Sequence, residues 1–202
     1  MSEPYEYSFQ DQLIFSTGVS VNSAISDILM SAIPGAQRVT KALQGDDRTG
    51  VDWWVETRTN DRRLAVDCKI RGTDPIPAYK KDDVALETWS VVESNVIGWS
   101  LDDKKRADYI LWVWKDTGRW CIAPFLLLTK AFKSKKEEWV SQYRVERQWT
   151  RGPVCYHSEC VFVDRAVLWG EMQKQSQGYH LDLQPQPRNK PYTIFENLGA
   201  RR

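Results

Sequence analysis

The sequence lacks several features that would assign it to a familiar class of enzyme. It has only two histidines among 202 residues and no Gly-rich phosphate-binding loop. Neither histidine lies in a sequence context that would activate Ser90, Ser100 or a cysteine, so a serine or cysteine nucleophile is not expected. A zinc site at Cys155, His157 and Cys160 would have to borrow a fourth ligand from a distant segment.

Long apolar runs and a large net charge are also missing. No apolar run approaches the roughly 20 residues that a membrane span needs, and the first residues do not resemble a signal peptide. We therefore expect a cytoplasmic protein with no membrane partner, whose four cysteines stay reduced. The net charge of +1 does not indicate a nucleic-acid partner, although basic residues concentrate in 130–151 and in the last twenty residues. These patches would either meet phosphates or form solvated helix faces.

The early part of the chain predicts a helix followed by a break. Four apolar residues recur there at helical spacing: Ile25, Ile28, Leu29 and Ile33. Asn22 or Ser23 is the candidate N-cap of this helix. Pro34-Gly35 then ends the helix, and 37–43 fits a short strand or a helical turn equally well.

After this helix the chain predicts several strands and then a second helical region. Strands are predicted near the end of 84–92 and at 108–114, 120–125 and 161–163, with an irregular connection at 72–77. A helix is predicted at 126–142, with an apolar stripe formed by Leu126, Leu127, Phe132 and Trp139. This order indicates one mixed α/β domain over 1–183, with an elaboration at 126–183 and an extended or flexible basic tail at 184–202.

Two acidic residues flank a predicted hairpin at the centre of this pattern. Reflecting the chain about the Thr59-Asn60 step places Asp52 opposite Asp67, and directly opposed residues have Cβ atoms about 5 Å apart. Lys69 shares the face of Asp67, because strand side chains alternate with a period of two. By the same parity Trp54 lies on the face of Asp52. The sequence therefore predicts two carboxylates and an ammonium at one point.

Such a constellation can bind a divalent metal and a phosphodiester together. Asp52 and Asp67 would hold magnesium or manganese, and the carbonyl of Cys68 would complete the metal's shell. Lys69 would orient water or stabilise charge on the phosphate. The alternative is a simple cross-strand ion pair between Asp67 and Lys69 on an open sheet face.

The acid-x-lysine triplet occurs elsewhere in the chain. It also begins at Asp102 and at Asp103, within the polar run 102–106 that includes Lys104, Lys105 and Arg106. Exposed charges in a loop are the natural interpretation of that run, although it would also suit a path for phosphates. Only the triplet at Asp67 is embedded in an apolar strand, where a charge incurs a desolvation cost unless it is paired or binds a metal.

Gly50-x-Asp52, then fourteen residues, then Asp67-Cys68-Lys69 resembles the PD-(D/E)xK nuclease superfamily. The resemblance covers roughly 22–125, and its diagnostic part is confined to 50–71. It implies a restriction-endonuclease-like α/β core with a central mixed β-sheet flanked by helices. It also implies Mg²⁺ or Mn²⁺ as cofactor and nucleic acid as substrate. Asp52 matches the family's first sheet carboxylate, Asp67 the acid of the triplet and Lys69 its lysine.

One feature of that family is not found at its usual place. Many members carry a further glutamate on the preceding helix, whereas this helix has only Asp27 as an internal acid. Glu87, in an apolar run after the hairpin, is the candidate for a supporting carboxylate from a neighbouring strand. An exposed helix glutamate is the equal alternative for Glu87.

The expectation from the sequence is a metal-dependent nuclease that hydrolyses DNA, of the type used in phage or mobile-element recombination, repair or junction resolution. A homodimer would suit this activity, because a single active centre cuts one strand. The alternative is a nuclease-like module that binds nucleic acid or a protein without cutting, which the missing helix glutamate motivates.

Overall fold

The computed structural model describes residues 7–8, 19–43, 46, 49–58, 60–151 and 155–177, and the predicted tail at 184–202 lies outside them. The elements in chain order are β1 (Tyr7–Ser8), α1 (Val19–Ala32), β2 (Ala36–Lys41), β3 (Trp53–Thr57), β4 (Asn60–Arg71), α2 (Pro75–Tyr79), β5 (Asp83–Val91), β6 (Val96–Ile97), β7 (Tyr109–Trp114), β8 (Trp120–Pro124), α3 (Phe125–Gln142), β9 (Arg144–Arg151), β10 (Tyr156–Asp164) and α4 (Arg165–Ser176). No helix of the described residues is long and apolar enough to cross a membrane.

The described chain divides into two compact units, where the sequence predicted one domain over 1–183. The first contains β1, Lys81–Asp103 and the described residues from 127 onward, and the second contains the described residues from 19 to 80 and Lys104–Leu126. Each unit has a mixed five-stranded sheet. The predicted α/β class with a mixed sheet and helices is therefore confirmed.

The sheet of the second unit has the order β2-β3-β4-β7-β8. Neighbouring strands are antiparallel except β4 and β7, which run parallel. Helix α1 packs on one face of this sheet, and its buried residues join the inward side chains of the strands in one apolar cluster. From α1 these are Val21, Ile25, Ile28 and Leu29. Burial of this face is the main force that holds the unit together.

The predicted hairpin is present, and its register agrees with the prediction. Trp53 pairs with Val66 and Trp54 with Ala65 in the β3–β4 ladder. The ladder shifts between Val55 and Thr57, so a bulge separates the turn from this part of the register. Because Val66 and Cys68 contact the apolar cluster, the odd-numbered residues of β4 lie on the opposite face.

The structure decides or corrects several local predictions in this unit. Helix α1 begins at Val19, so neither Asn22 nor Ser23 is its cap. Residues 37–43, for which the sequence predicted either a short strand or a helical turn, contribute to strand β2. The connection at 72–77 includes the first residues of the short helix α2, which Asp74 caps by accepting from the backbone N–H of Ile76.

In the first unit the strand order is β1-β9-β10-β5-β6. The strand predicted at 161–163 is confirmed and is longer, running from Tyr156 to Asp164. The basic residues of 144–151 belong to strand β9 rather than to a solvated helix face. Helix α3 is confirmed, but Leu126 is 61% exposed and does not belong to its apolar stripe. Helix α4 was not predicted, although Leu168 and Met172 are fully buried on it.

The start of helix α4 provides a test of local stability. The side chain of Asp164 accepts from the backbone N–H groups of Ala166 and Val167. We expect Asp164→Ala to lower the free energy of unfolding by about 1 kcal/mol, because two donors lose their partner. Urea denaturation measures this, with Glu137→Ala on the exposed side of α3 as control. Equal effects of the two substitutions would contradict the capping role.

Candidate functional site

Asp52 and Asp67 converge beside the end of the β3–β4 ladder. The backbone N–H of Asp52 donates to the carbonyl of Val66 (2.9 Å), which continues the register toward Asp67. The carboxyl groups of Asp52 and Asp67 lie close enough for the negative charge of Asp67 to act on Asp52. Asp52 Oδ2 also accepts from the backbone N–H of Cys68 at 2.7 Å. The predicted pairing of the two carboxyl groups is thus present.

Asp67 is the centre of the cluster and is almost completely buried, with 3% of the residue exposed. Lys69 Nζ lies 2.9 Å from Asp67 Oδ2, as expected for two residues on the same face of a strand. Lys105 Nζ lies 2.7 Å from the same oxygen. The arrangement therefore differs from an ion pair on an open sheet face, because the carboxylate is enclosed and holds two ammonium groups.

The sequence did not predict Lys105 as a member of this cluster. Its run was interpreted as an exposed loop, yet only 6% of the Lys105 side chain is exposed. The backbone N–H of Arg106 donates to the carbonyl of Thr49 at 3.2 Å, which fixes this loop beside Gly50. No periodicity signals such a contact, because it joins two loops that are far apart in the sequence.

The side chain of Lys105 lies directly against Gly50. Its φ is +74°, and a Cβ atom at this position would lie 2.2 Å from Lys105 Nζ and 3.1 Å from its Cε. A glycine is needed here both for the left-handed backbone conformation and for the close approach of the lysine.

The pKa values of the two carboxyl groups are shifted in opposite directions. Burial, followed by the negative charge of Asp67, raises the pKa of Asp52 from 3.8 to about 7. Burial alone would raise the pKa of Asp67 too, but the ammonium groups of Lys69 and Lys105 hold it below its usual value. Burial would lower the pKa of Lys69, yet the attraction of Asp67 raises it. Near neutral pH the cluster therefore has one firmly ionised carboxylate and one that exchanges a proton.

Cys68 meets the cluster through its backbone. Its N–H binds Asp52, whereas its side chain packs against the apolar cluster on the α1 side of the sheet. Burial and the two neighbouring carboxylates raise the pKa of the Cys68 thiol well above its usual value. A role of its carbonyl as a metal ligand stays a prediction.

Glu87 lies in strand β5 of the first unit, so the strand interpretation is confirmed over an exposed helix glutamate. Its Oε2 accepts from the hydroxyl of Ser90 at 2.7 Å and from the backbone N–H of Trp99 at 3.0 Å. A supporting role of Glu87 at the site stays a prediction.

Further charged and aromatic side chains share the face of Asp67. Strand parity places Arg63 and Arg71 there, and Arg63 is exposed. Trp54 lies on this face as predicted, because its neighbour Trp53 packs into the apolar cluster. The guanidinium of Arg63 lies 4.6 Å from the Trp54 ring centroid. The exposed part of this face thus presents cations and an aromatic ring.

The donor set of the cluster fits a hard divalent cation in chemical type. Magnesium is held by one or two carboxylates together with water and phosphate oxygens, and Asp52 and Asp67 present two carboxyl groups to one point. In the described part of the chain, no group of three or more histidine, cysteine or acidic side chains is arranged to hold a metal. The two carboxyl groups would therefore have to be joined by water, backbone or substrate oxygens.

No protein-family model matches this chain, and neither a curated protein nor a solved structure is significantly similar to it.

Proposed function

We propose that this protein is a metal-dependent nuclease that hydrolyses phosphodiester bonds of DNA. The observation that carries the proposal is the convergence of Asp52, Asp67 and Lys69 at one point. The sequence pattern Gly50-x-Asp52 with Asp67-Cys68-Lys69 predicts the same three residues. The alternative of an exposed ion pair explains neither the burial of Asp67 nor the second carboxyl group beside it.

The two aspartates and Lys69 would have different roles, because their surroundings differ. Asp52 and Asp67 would hold Mg²⁺ or Mn²⁺, which when bound polarises a phosphoryl oxygen and lowers the pKa of its water. The side chain of Lys69 is 21% exposed, so its ammonium reaches solvent while contacting Asp67. It would orient the attacking water or stabilise the charge that develops on the phosphate.

The remaining features of the second unit support a nucleic-acid substrate. Its helix-covered mixed sheet is compatible with a restriction-endonuclease-like core, which we propose as its finer fold. Arg63 and Arg71 extend the positive charge of Lys69 along the same face of β4. Arginines at such positions suit contacts with phosphates, and the half-buried Trp54 ring would suit stacking on a base.

The test is an incubation of the full chain with linear, circular and branched DNA in the presence of Mg²⁺, Mn²⁺ or a chelator. We expect cleavage with either metal and none with the chelator. Comparison of the three substrates tells exonuclease from endonuclease activity and shows any preference for junctions. Absence of cleavage on all three DNAs with both metals would contradict the proposal.

A second candidate is a nuclease-like module that binds nucleic acid without cutting it. The observation that favours it is the ammonium of Lys105, which contacts the same carboxylate oxygen of Asp67 as Lys69 does. Two ammonium groups then stand where a metal ion would bind. This candidate predicts DNA binding that weakens with salt but no metal affinity that depends on Asp52 and Asp67. Calorimetric titration of Mn²⁺ into the wild type and Asp52→Asn separates the two candidates.

A further inference from the structure

Lys105 is held by Asp67 at least as closely as Lys69 is. Its Nζ is the nearer of the two to Asp67 Oδ2, at 2.7 Å against 2.9 Å. Its side chain is also less exposed, at 6% against 21% for Lys69. A lysine that is buried to this extent and points at a proposed metal ligand is poorly placed to contact a substrate in solution.

We propose that Lys105 is a built-in competitor of the metal ion. Its ammonium neutralises Asp67 in the metal-free protein and has to move away when a divalent cation binds between Asp52 and Asp67. The inference rests on the proposed function, because it assumes that these two carboxyl groups are the metal ligands.

The charges of the cluster support competition rather than a purely structural ion pair. With all groups ionised, Asp52 and Asp67 contribute −2 while Lys69 and Lys105 contribute +2, which gives zero. Without Lys105 the sum is −1, and a hard dication is attracted far more strongly to a negative cluster than to a neutral one. Lys69 alone balances the charge of Asp67. The second ammonium contacts the same oxygen and is repelled by the first.

The geometry also allows Lys105 to move. A lysine side chain has a flexible four-carbon stem, and this one reaches Asp67 by passing across the open side of Gly50. The hydrogen bond between its loop and Thr49 is made by the backbone N–H of Arg106, so it does not depend on the position of the Lys105 ammonium. Displacement of the ammonium therefore requires no change in the sheet.

The first test is a titration of Mn²⁺ into the chelator-treated full chain, followed by calorimetry or by the electron spin resonance of free Mn²⁺. We expect Lys105→Met to bind Mn²⁺ at least about tenfold more tightly than the wild type, because a positive charge beside the ligands is removed. Lys104→Met, which removes an exposed lysine next to it, should leave the affinity unchanged. Unchanged or weaker binding by Lys105→Met would overturn the inference.

A glycine substitution tests the same point with all four charged residues retained. Gly50→Ala places a methyl group 2.2 Å from the present position of Lys105 Nζ and should push the ammonium off Asp67. Gly35→Ala is the matched control, since Gly35 has a φ of +75° but its nearest atom is Arg58 N at 4.0 Å. Both carry the same backbone strain, so tighter Mn²⁺ binding is expected only in Gly50→Ala. Equal affinities in the two variants would count against the competitor role.

The titrations also distinguish a failure of the competitor role of Lys105 from a failure of the proposed metal site. If the wild type, Lys105→Met and Gly50→Ala all bind no Mn²⁺, the metal site itself is refuted. If the wild type binds Mn²⁺ in a way that Asp52→Asn weakens, but Lys105→Met has the same affinity as the wild type, only the competitor role is refuted.

Amine labelling of the unaltered protein gives an independent readout. Mass spectrometry after reaction with an acylating reagent should show slow modification of Lys105 in the chelator-treated protein and faster modification with Mn²⁺. Lys104 provides the internal reference. Labelling of Lys105 that Mn²⁺ leaves unchanged would show that the ammonium does not move and would overturn the inference.

Discussion

Lys69→Met is expected to lower the rate of DNA cleavage by about 10² to 10³-fold, because it removes the partly exposed ammonium that serves the water or the phosphate. Asp67 keeps Lys105 as its partner in this variant, so the buried carboxylate is not left without a counter-charge. The fold should therefore survive the substitution. The measurement is the initial rate of cleavage with Mg²⁺, together with a thermal melt of the same sample.

Two further variants make this result specific. Lys104→Met removes an exposed lysine of the second unit and should cleave at close to the wild-type rate. Asp67→Asn should abolish cleavage, and it should also lower stability, because it leaves two buried or half-buried ammonium groups without their carboxylate. Magnesium-dependent cleavage that is retained in both Lys69→Met and Asp67→Asn would refute the proposed catalytic roles.

The part of this site that follows from strand periodicity was predictable from the sequence. A strand has only two faces, so the placement of Lys69 with Asp67 needs nothing beyond the period of two. The position of Asp52 needs the hairpin register as well. Reflection about the Thr59-Asn60 step gave the pairing of Trp53 with Val66 correctly, although a bulge near Glu56 intervenes. One error of register would have placed the carboxyl groups on different faces.

Contacts between distant loops were not predictable in this way. Lys105 enters the cluster because its loop docks beside Gly50, and a polar run in a sequence looks the same whether it is solvated or folded over a carboxylate. Gly50 belongs to the sequence pattern that carries the resemblance, but its close approach to the Lys105 side chain depends on that docking. A single amino-acid sequence contains no signal for a contact of this kind.

The fold was predicted best where the apolar pattern was strongest. Helix α1 and the β7–β8 hairpin have continuous buried faces, and both were found where expected. Strand β9 was missed because its alternating charged residues resemble a solvated helix face, and its identity depends on pairing with β10. Helix α2 was missed because its proline residues suggest an irregular segment, whereas a proline in the first turn of a helix is well tolerated.

The metal-free protein is expected to lose stability as the pH rises from about 4 to about 7, because Asp52 must ionise while buried next to Asp67. Its pKa is raised from 3.8 to about 7 in the folded state. The folded protein therefore binds more protons than the unfolded chain in this window, and its stability falls with rising pH. At about 1.4 kcal/mol per pKa unit the full loss is about 4 kcal/mol. Asp67, whose pKa is lowered, acts in the opposite direction but only below pH 3.8.

Urea denaturation in the presence of a chelator, at pH 5 and pH 8, measures about 3 kcal/mol of this loss, the part that falls between pH 5 and the folded-state pKa of about 7. Asp52→Asn should remove most of it, because an amide stays neutral and can still accept from the N–H of Cys68. Asp27→Asn, on the exposed side of α1, should keep the pH dependence of the wild type. Adding Mn²⁺ at pH 8 should restore stability to the wild type, since a cation that binds the ionised pair favours the folded state. A wild type that is equally stable at pH 5 and pH 8 would mean that Asp52 ionises without cost. The two carboxyl groups would then lack the mutual repulsion that makes them a site for a cation.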